Sequence, residues 1–154
     1  MAYVMINLPA TNYSLLEKEF EEIIEIRNGA NGLPSEAGAI RKTIVFSDFQ
    51  KLPCQEFIKD GMINYFHYDY YDEKGNIIMK FHSEEHPENP EIQKMQHYPF
   101  HIHVKENAMD LKADKRIPYP DVLNLKELYS IMEFIVLTKR IITPFQSGRT
   151  SRKR

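Results

Sequence analysis

Hydrophobic positions near the amino end recur at helical spacing. A capping box, Ser-Leu-Leu-Glu at residues 14–17, offers a hydroxyl and a carboxylate that satisfy the free amides of a first helical turn. The apolar positions from Leu16 to Ile24 lie mostly three or four residues apart, and Asn28 with the glycine after it tolerates the conformation that ends helices. This pattern predicts a helix over residues 14–27.

In the middle of the chain, branched and aromatic runs alternate with turn residues, which is typical of strands. Turn signals at Asp60-Gly61 and at residues 72–76 separate neighbouring runs and favour hairpins. Residues 83–97 and 106–120 are predicted to be irregular. The predicted strands cover residues 39–47, 54–59, 62–71, 77–82 and 98–104.

A second apolar stripe, which starts at Leu125, predicts a helix from residue 121 or 124 to residue 141. The order is therefore helix, five strands, helix, and tight turns between neighbouring strands favour a meander. We expect an α+β fold, in which an antiparallel five-stranded sheet is flanked on one face by an N-terminal and a C-terminal helix. The predicted domain covers residues 1–145, and a basic, flexible tail covers residues 146–154.

The register of the central hairpin decides which side chains share a face. A turn in which Gly75 forms a bulge would place His67 opposite Phe81, so His67 and His82 would point to opposite faces. A two-residue turn at Lys74-Gly75 would instead place His67 opposite His82 and Asp69 opposite Lys80. The sequence favours the bulged turn.

Composition indicates a globular protein in a reducing compartment. The chain has 154 residues, 42% of them hydrophobic and 27% charged, which is ordinary for a folded domain. Cys54 is the only cysteine, so an intrachain disulfide is excluded. No apolar run is long enough to cross a membrane, and the first residues do not resemble a signal peptide. We therefore expect a cytoplasmic protein.

The net charge of −2 conceals an uneven distribution. Residues 139–154 hold six of the 20 basic side chains and no acid, so the rest has 14 basic and 22 acidic residues, a balance of −8. A body of that charge is not an obvious nucleic-acid surface. The tail is either a phosphate-binding arm or a solvated terminus.

All six histidines lie between Met62 and Val104. His101 and His103 are two residues apart on a predicted strand, so both project from one face. Two imidazoles on one face can act as acid and base on one substrate, or can bind a metal ion. The alternative is that aromatic strands contain histidine as a further ring. The six are His67, His82, His86, His97, His101 and His103.

A histidine-ligated zinc site would need three or four ligands. His86, His101 and His103 could supply three of them, and Glu84 or Glu88 could add a carboxylate. This makes a metallohydrolase one alternative.

Three segments together resemble the TumE family, whose members are toxin partners of bacterial toxin–antitoxin pairs. They are the run His-Tyr-Asp-Tyr-Tyr-Asp-Glu-Lys-Gly at residues 67–75, the pair His86-Pro87, and Tyr-Pro-Phe-His-Ile-His-Val at residues 98–104. The resemblance covers about residues 55–137. The residues that match the family pattern are Lys80, His86, Pro87, His101 and His103.

The resemblance implies a growth-inhibiting protein that is paired with a DNA-binding antitoxin. Because small toxins of such pairs frequently cleave RNA, the leading hypothesis is a metal-independent ribonuclease, a hydrolase of RNA phosphodiester bonds, with no cofactor. In this hypothesis His101 and His103 are the acid and base. The other predicted site residues are His86 and Lys80 at the catalytic site, Lys80 or Lys105 for the phosphate charge, and Tyr68 or Tyr70 to stack a base.

A hypothesis of another class is a non-catalytic module that binds a partner protein and whose histidines are structural. The acidic body favours it, because enzymes that act on RNA usually present a basic surface. The sequence leaves a homo-oligomer open.

Overall fold

The computed structural model describes residues 8–83, 90, 101–107, 109–118 and 128–142, with residues 101, 116–118 and 140–142 described by their backbone alone. The elements in chain order are α1 (Tyr13–Glu19), β1 (Ile23–Asn28), β2 (Ala39–Phe46), β3 (Lys51–Lys59), β4 (Met62–Tyr71), β5 (Ile77–His82), β6 (His101–Val104), β7 (Lys115–Pro118) and α2 (Leu128–Ile142).

The seven strands form one antiparallel sheet in which every strand pairs with its neighbours in sequence. The predicted α+β class and meander are confirmed, and β4 and β5 have the predicted bounds. The number of strands is larger than predicted. The predicted tail, residues 146–154, lies outside the described residues.

The two additional strands lie where a helix and an irregular segment were expected. Helix α1 ends at Glu19, and the backbone of the C-cap residue, Phe20, is extended (φ −109°, ψ 108°). The isoleucines that follow are branched at Cβ, and β1 pairs with β2, which outweighs the helical spacing of the sequence. Strand β7 pairs with β6 at the sheet edge, and Pro118, which cannot donate a backbone hydrogen bond, is its last residue.

The β4–β5 hairpin has the predicted turn but a different register. Gly75 has a φ of +85° and donates its amide to the Asp72 carbonyl at 3.1 Å, as expected for a bulged turn. A second bulge follows, because Tyr71 pairs with Ile77 whereas Tyr70 pairs with Met79. The extra residue, Ile78, shifts the remainder of the hairpin by one position. The predicted pairing of His67 with Phe81 is therefore wrong.

Both helices pack on the same face of the sheet, as predicted. The core combines alternate side chains of the strands with one side of each helix. Fully buried members include Leu16 of α1, Leu52 and Cys54 of β3, Tyr68 of β4, Phe81 of β5, Ile102 of β6, and Leu128 and Met132 of α2.

The core also contains a carboxylate. Glu56 on β3 is 0% exposed and accepts hydrogen bonds from the Tyr68 hydroxyl at 2.6 Å and the Thr11 amide at 3.1 Å. The Thr11 hydroxyl donates to the same carboxylate. These bonds satisfy a group that would be costly to bury alone, and they attach the segment before α1 to the sheet.

The turn predicts the effect of replacing Gly75. Gly75→Val should lower the free energy of unfolding by about 1–2 kcal/mol, because a branched side chain resists positive φ. Space is not the cause, since a Cβ at this position meets nothing within 4 Å. Gly75→Asn, which tolerates this conformation, is the matched control in urea unfolding. Equal stability of the valine variant and the parent would contradict the assignment.

Buried hydroxyl and thiol groups predict a loss of stability at alkaline pH. Burial, followed by the charge of Glu56, raises the pKa of Cys54 and of Tyr68 well above their ordinary values. The folded chain therefore keeps protons that the unfolded chain releases from about pH 8.5 (Cys) and about pH 10 (Tyr). This stabilisation is complete below those unfolded pKa values and is lost as the pH rises.

Urea unfolding between about pH 7 and 11 should show this decline, with a shallower slope above about pH 10 in Tyr68→Phe. That variant should also be less stable at neutral pH by about 1–2 kcal/mol, because Glu56 loses a donor. A stability that does not change up to pH 11 would contradict the prediction.

Candidate active site on the imidazole face

The sheet face opposite the helices carries a row of ring and polar side chains. Side chains alternate along each strand, so the partners of a residue across the sheet share its face. Gln55 of β3 pairs with His67 of β4, His67 pairs with His82 of β5, and one row further Lys80 of β5 pairs with His103 of β6. We call this the imidazole face; it comprises Arg41, Gln55, Phe57, Tyr65, His67, Asp69, Tyr71, Lys80, His82 and His103.

Three imidazoles from three neighbouring strands are in ring contact. The ring centroids of His67 and His82 are 4.4 Å apart with 23° between the planes, and those of His82 and His103 are 4.5 Å apart with 50° between the planes. His82 and His103 are each 8% exposed. A carboxylate or phosphate that reached these rings would be largely shielded from water. Charges attract each other more strongly in such a site than they do in water.

A carboxylate orients the central ring. Oδ1 of Asp69 lies 3.1 Å from Nε2 of His82, and the two side chains are only 15% and 10% exposed. Because an ionised carboxylate accepts but cannot donate, this contact places the proton of His82 on Nε2. The same arrangement fixes the tautomer and the ring orientation of catalytic and metal-binding imidazoles elsewhere.

Lys80 adds a cation beside these rings. Its cross-strand neighbours are Asp69 on one side and His103 on the other, and its side chain is half-buried. The structure thus brings together two residues that the sequence predicted for one site, Lys80 and His103.

A family model described as toxin TumE matches residues 12–131. The chain belongs to the TumE toxin family. No curated protein and no solved structure matches the chain. The matched segment includes all of α1, all seven strands and the first turn of α2. The predicted family is confirmed, and membership of this toxin family implies an antitoxin partner.

The TumE-like histidine pair is partly described. The backbone of His101 pairs with those of His82 and Pro118. His101 is two residues from His103 on β6, so it lies in the adjacent cross-strand row. Its side chain lies outside the described atoms, and so does all of His86. Their predicted catalytic roles stay predictions.

Lys105 follows β6 and lies near the β4–β5 turn. A backbone hydrogen bond from Asn76 is the main cause that lowers the pKa of Asp72, and the charge of Lys105 contributes to the same shift. Its predicted contact with substrate phosphate stays a prediction.

Tyr68 and Tyr70 lie on the helix-covered face, not on the imidazole face. They are 1% and 7% exposed. The Tyr68 hydroxyl donates to Glu56, and the Tyr70 hydroxyl is hydrogen-bonded to Gln50. The predicted stacking of a base on these two rings does not fit this placement, because their faces are packed in the core. The parity of β4 puts Tyr65 on the imidazole face instead.

Sequence reasoning also did not assign His82 and Asp69 to the site. Their contact depends on the bulge at Ile78, which places Asp69 opposite Lys80 and His67 opposite His82. The alternative hairpin register contained both pairings, so the available signal was the register and not the residue types.

Within the described parts of the chain, no group of three His, Cys, Asp or Glu side chains has the arrangement needed to hold a metal ion. The ligand set predicted for zinc includes His86, Glu84 and Glu88, which lie outside those parts. Among the described helices, none has the length and apolar character needed to cross a membrane.

The contact between Asp69 and His82 predicts a spectroscopic change. Asp69→Asn should lower the population of the Nε2-protonated tautomer of His82, because an amide can donate to that nitrogen as well as accept from it. Imidazole ¹⁵N spectra read this directly. Asp114→Asn, which replaces an exposed carboxylate before β7, is the matched control. Unchanged His82 resonances in Asp69→Asn would show that the carboxylate does not set the tautomer.

Proposed function

We propose that the chain is the toxin of a toxin–antitoxin pair and inhibits growth by cleaving RNA in the cytoplasm without a metal ion. The observation that carries the proposal is the contact of His103 with His82, an imidazole oriented by Asp69, beside the cation of Lys80. Family membership supports the toxin role. The choice of RNA rests on the chemistry that this set of groups can perform.

The reaction requires two proton transfers. A neutral imidazole takes the proton of a ribose 2′-hydroxyl, whose oxygen attacks the adjacent phosphorus. A protonated imidazole gives a proton to the departing 5′-oxygen as the bond from phosphorus to that oxygen breaks. The products are a 2′,3′-cyclic phosphate and a 5′-hydroxyl end, so no metal or redox partner is consumed.

His103 and His82 lie side by side, so a phosphodiester over the two rings would meet both. We assign the acid to His82, whose ring is oriented by the carboxylate of Asp69. His103 then suits the base. Lys80, next to His103 in the register, would stabilise the charge that develops on the phosphate.

The predicted roles of His101 and His86 belong to the same proposal. The backbone position of His101, opposite His82, is compatible with a third imidazole at this phosphate. The basic residues after position 138 would supply positive charge for RNA that the acidic body lacks.

A second candidate function is a non-catalytic module that inhibits growth by occupying a partner protein. The burial of His82 and His103, each 8% exposed, favours it, because a buried ring stack also stabilises a sheet without any reaction. The charge balance of −8 before residue 139 favours it as well. The two candidates differ in what a folded histidine variant does.

His103→Ala should abolish growth inhibition in cells that lack the antitoxin. Loss of an acid or base lowers a rate by about 10²- to 10⁴-fold, so cleavage of RNA by the purified variant should fall by that factor. Cleavage by the parent should be bell-shaped against pH, because one ring must be neutral while the other is charged. It should persist in a chelator.

His101→Ala tests the partner that the sequence predicted for His103. The control is Asp114→Asn, which changes an exposed carboxylate before β7 and should retain activity. Thermal unfolding verifies that each variant is folded. A folded His103→Ala protein that remains fully toxic would overturn the catalytic proposal and favour the binding module. Loss of cleavage in a chelator would favour the metallohydrolase.

A further inference from the structure

We infer that Phe57 and Tyr65 form a nucleobase-binding subsite beside the imidazoles. The inference rests on the proposed function, because it names where the same RNA substrate binds. The ligand is one unpaired base of a single-stranded RNA, held by stacking on aromatic rings.

The two rings form a platform on the same face as the histidines. Phe57 of β3 pairs with Tyr65 of β4, and their ring centroids are 4.3 Å apart with 18° between the planes. Both side chains are half-buried, so part of each remains accessible, unlike Tyr68 and Tyr70 in the core. The stacking covers the two inner faces, and a base can stack on an outer face of the pair.

The platform is continuous with the imidazoles. The centroid of His67 lies 5.8 Å from that of Tyr65 and 5.9 Å from that of Phe57, and His67 stacks on His82. His67 therefore contacts the platform directly and is the one ring that lies between the platform and His82. When a base stacks on the platform, the ribose-phosphate backbone of the same RNA can follow the rings of His67 and His82 toward His103.

A cation is fixed at the far side of the platform. The guanidinium of Arg41 lies 5.8 Å from the Phe57 ring centroid, and the residue is 8% exposed. Its Nε donates to Gln55 at 2.9 Å, and its Nη1 donates to the Pro34 carbonyl at 3.0 Å and to the exposed carboxylate of Glu36 at 3.3 Å. These bonds hold the guanidinium beside the Phe57 ring before a ligand arrives.

Charge favours RNA over an apolar protein segment as the occupant. Arg41 lies on β2 and Lys80 lies on β5, so the two cations are on the strands that flank β3 and β4, which carry the aromatic pair. Cations that flank stacked aromatic rings suit a chain of phosphates and bases. A partner that recognised apolar surface alone would gain nothing from these cations.

The test measures binding separately from cleavage. A short single-stranded oligonucleotide with 2′-O-methyl groups cannot undergo attack by the 2′-oxygen, so the intact protein can be titrated with it. One 2-aminopurine in the oligonucleotide reports stacking through the quenching of its fluorescence. We expect Tyr65→Leu and Phe57→Leu each to weaken binding by about 5- to 100-fold and to reduce the quenching.

Two matched variants separate the effect of the aromatic ring of Tyr65 from other effects of substitution. Tyr65→Phe keeps the aromatic face and should bind like the parent. Tyr71→Leu removes a half-buried tyrosine from the same strand and the same face, about 20 Å from Tyr65 along β4, and should also bind like the parent. Thermal unfolding verifies that all four variants are folded.

The outcomes separate the subsite from the proposed function. If the parent binds and the two leucine variants bind equally well, the subsite is wrong while RNA cleavage by the histidines stands. If the parent neither binds the oligonucleotide nor cleaves the unmodified RNA, both fail and a protein occupant is favoured. If Tyr65→Phe binds as weakly as Tyr65→Leu, the hydroxyl and not stacking holds the ligand, which also overturns the inference.

Discussion

The pairing of β4 with β5 is the constraint on which the candidate site depends. Because side chains alternate across a sheet, a shift of one residue would move every side chain of β5 to the other face. The bulge at Ile78 sets this register, and it places His82 between His67 and His103 and within hydrogen-bonding distance of Asp69. Without it, His82 would face the helices, and the imidazole row would be interrupted.

The two faces of the sheet differ in their side chains and in their roles. The face under the helices contains the apolar core and one satisfied carboxylate, Glu56, whose donors come from β4 and from the segment before α1. The opposite face is left for polar and ring side chains. The tyrosines of β4 show the division, since Tyr68 belongs to the core while Tyr65 stacks with Phe57 on the other side.

The imidazole face combines features that favour chemistry with features that favour structure. Ring contacts between neighbouring strands stabilise a sheet, and burial makes those contacts dry. The same burial strengthens the interaction of Asp69 with His82 and would strengthen the attraction of a phosphate. A family of toxins provides a biological context in which such a face would act, and the identity of its target is the point at which the catalytic and binding hypotheses differ.

The sequence by itself determined the family, the α+β class, the meander and the bounds of β4 and β5, because these depend on local patterns such as alternation and turn residues. It also brought Lys80 and His103 into one candidate site. Local patterns were insufficient where pairing with another strand decides the secondary structure of a segment. The segment that became β1 has helical spacing, and only pairing with β2 makes it a strand.

The register of the β4–β5 hairpin was also not determined by local patterns. Consecutive apolar residues at Ile77, Ile78 and Met79 allow either face to be buried, so the pattern permits both registers, and Ile78 and Met79 both pack against the core in the fold. The contact of Asp69 with His82, the burial of Tyr68 and the pairing of Phe57 with Tyr65 all depend on that choice. Only the tertiary structure decided them, because each joins residues from different strands whose relative position is fixed by packing.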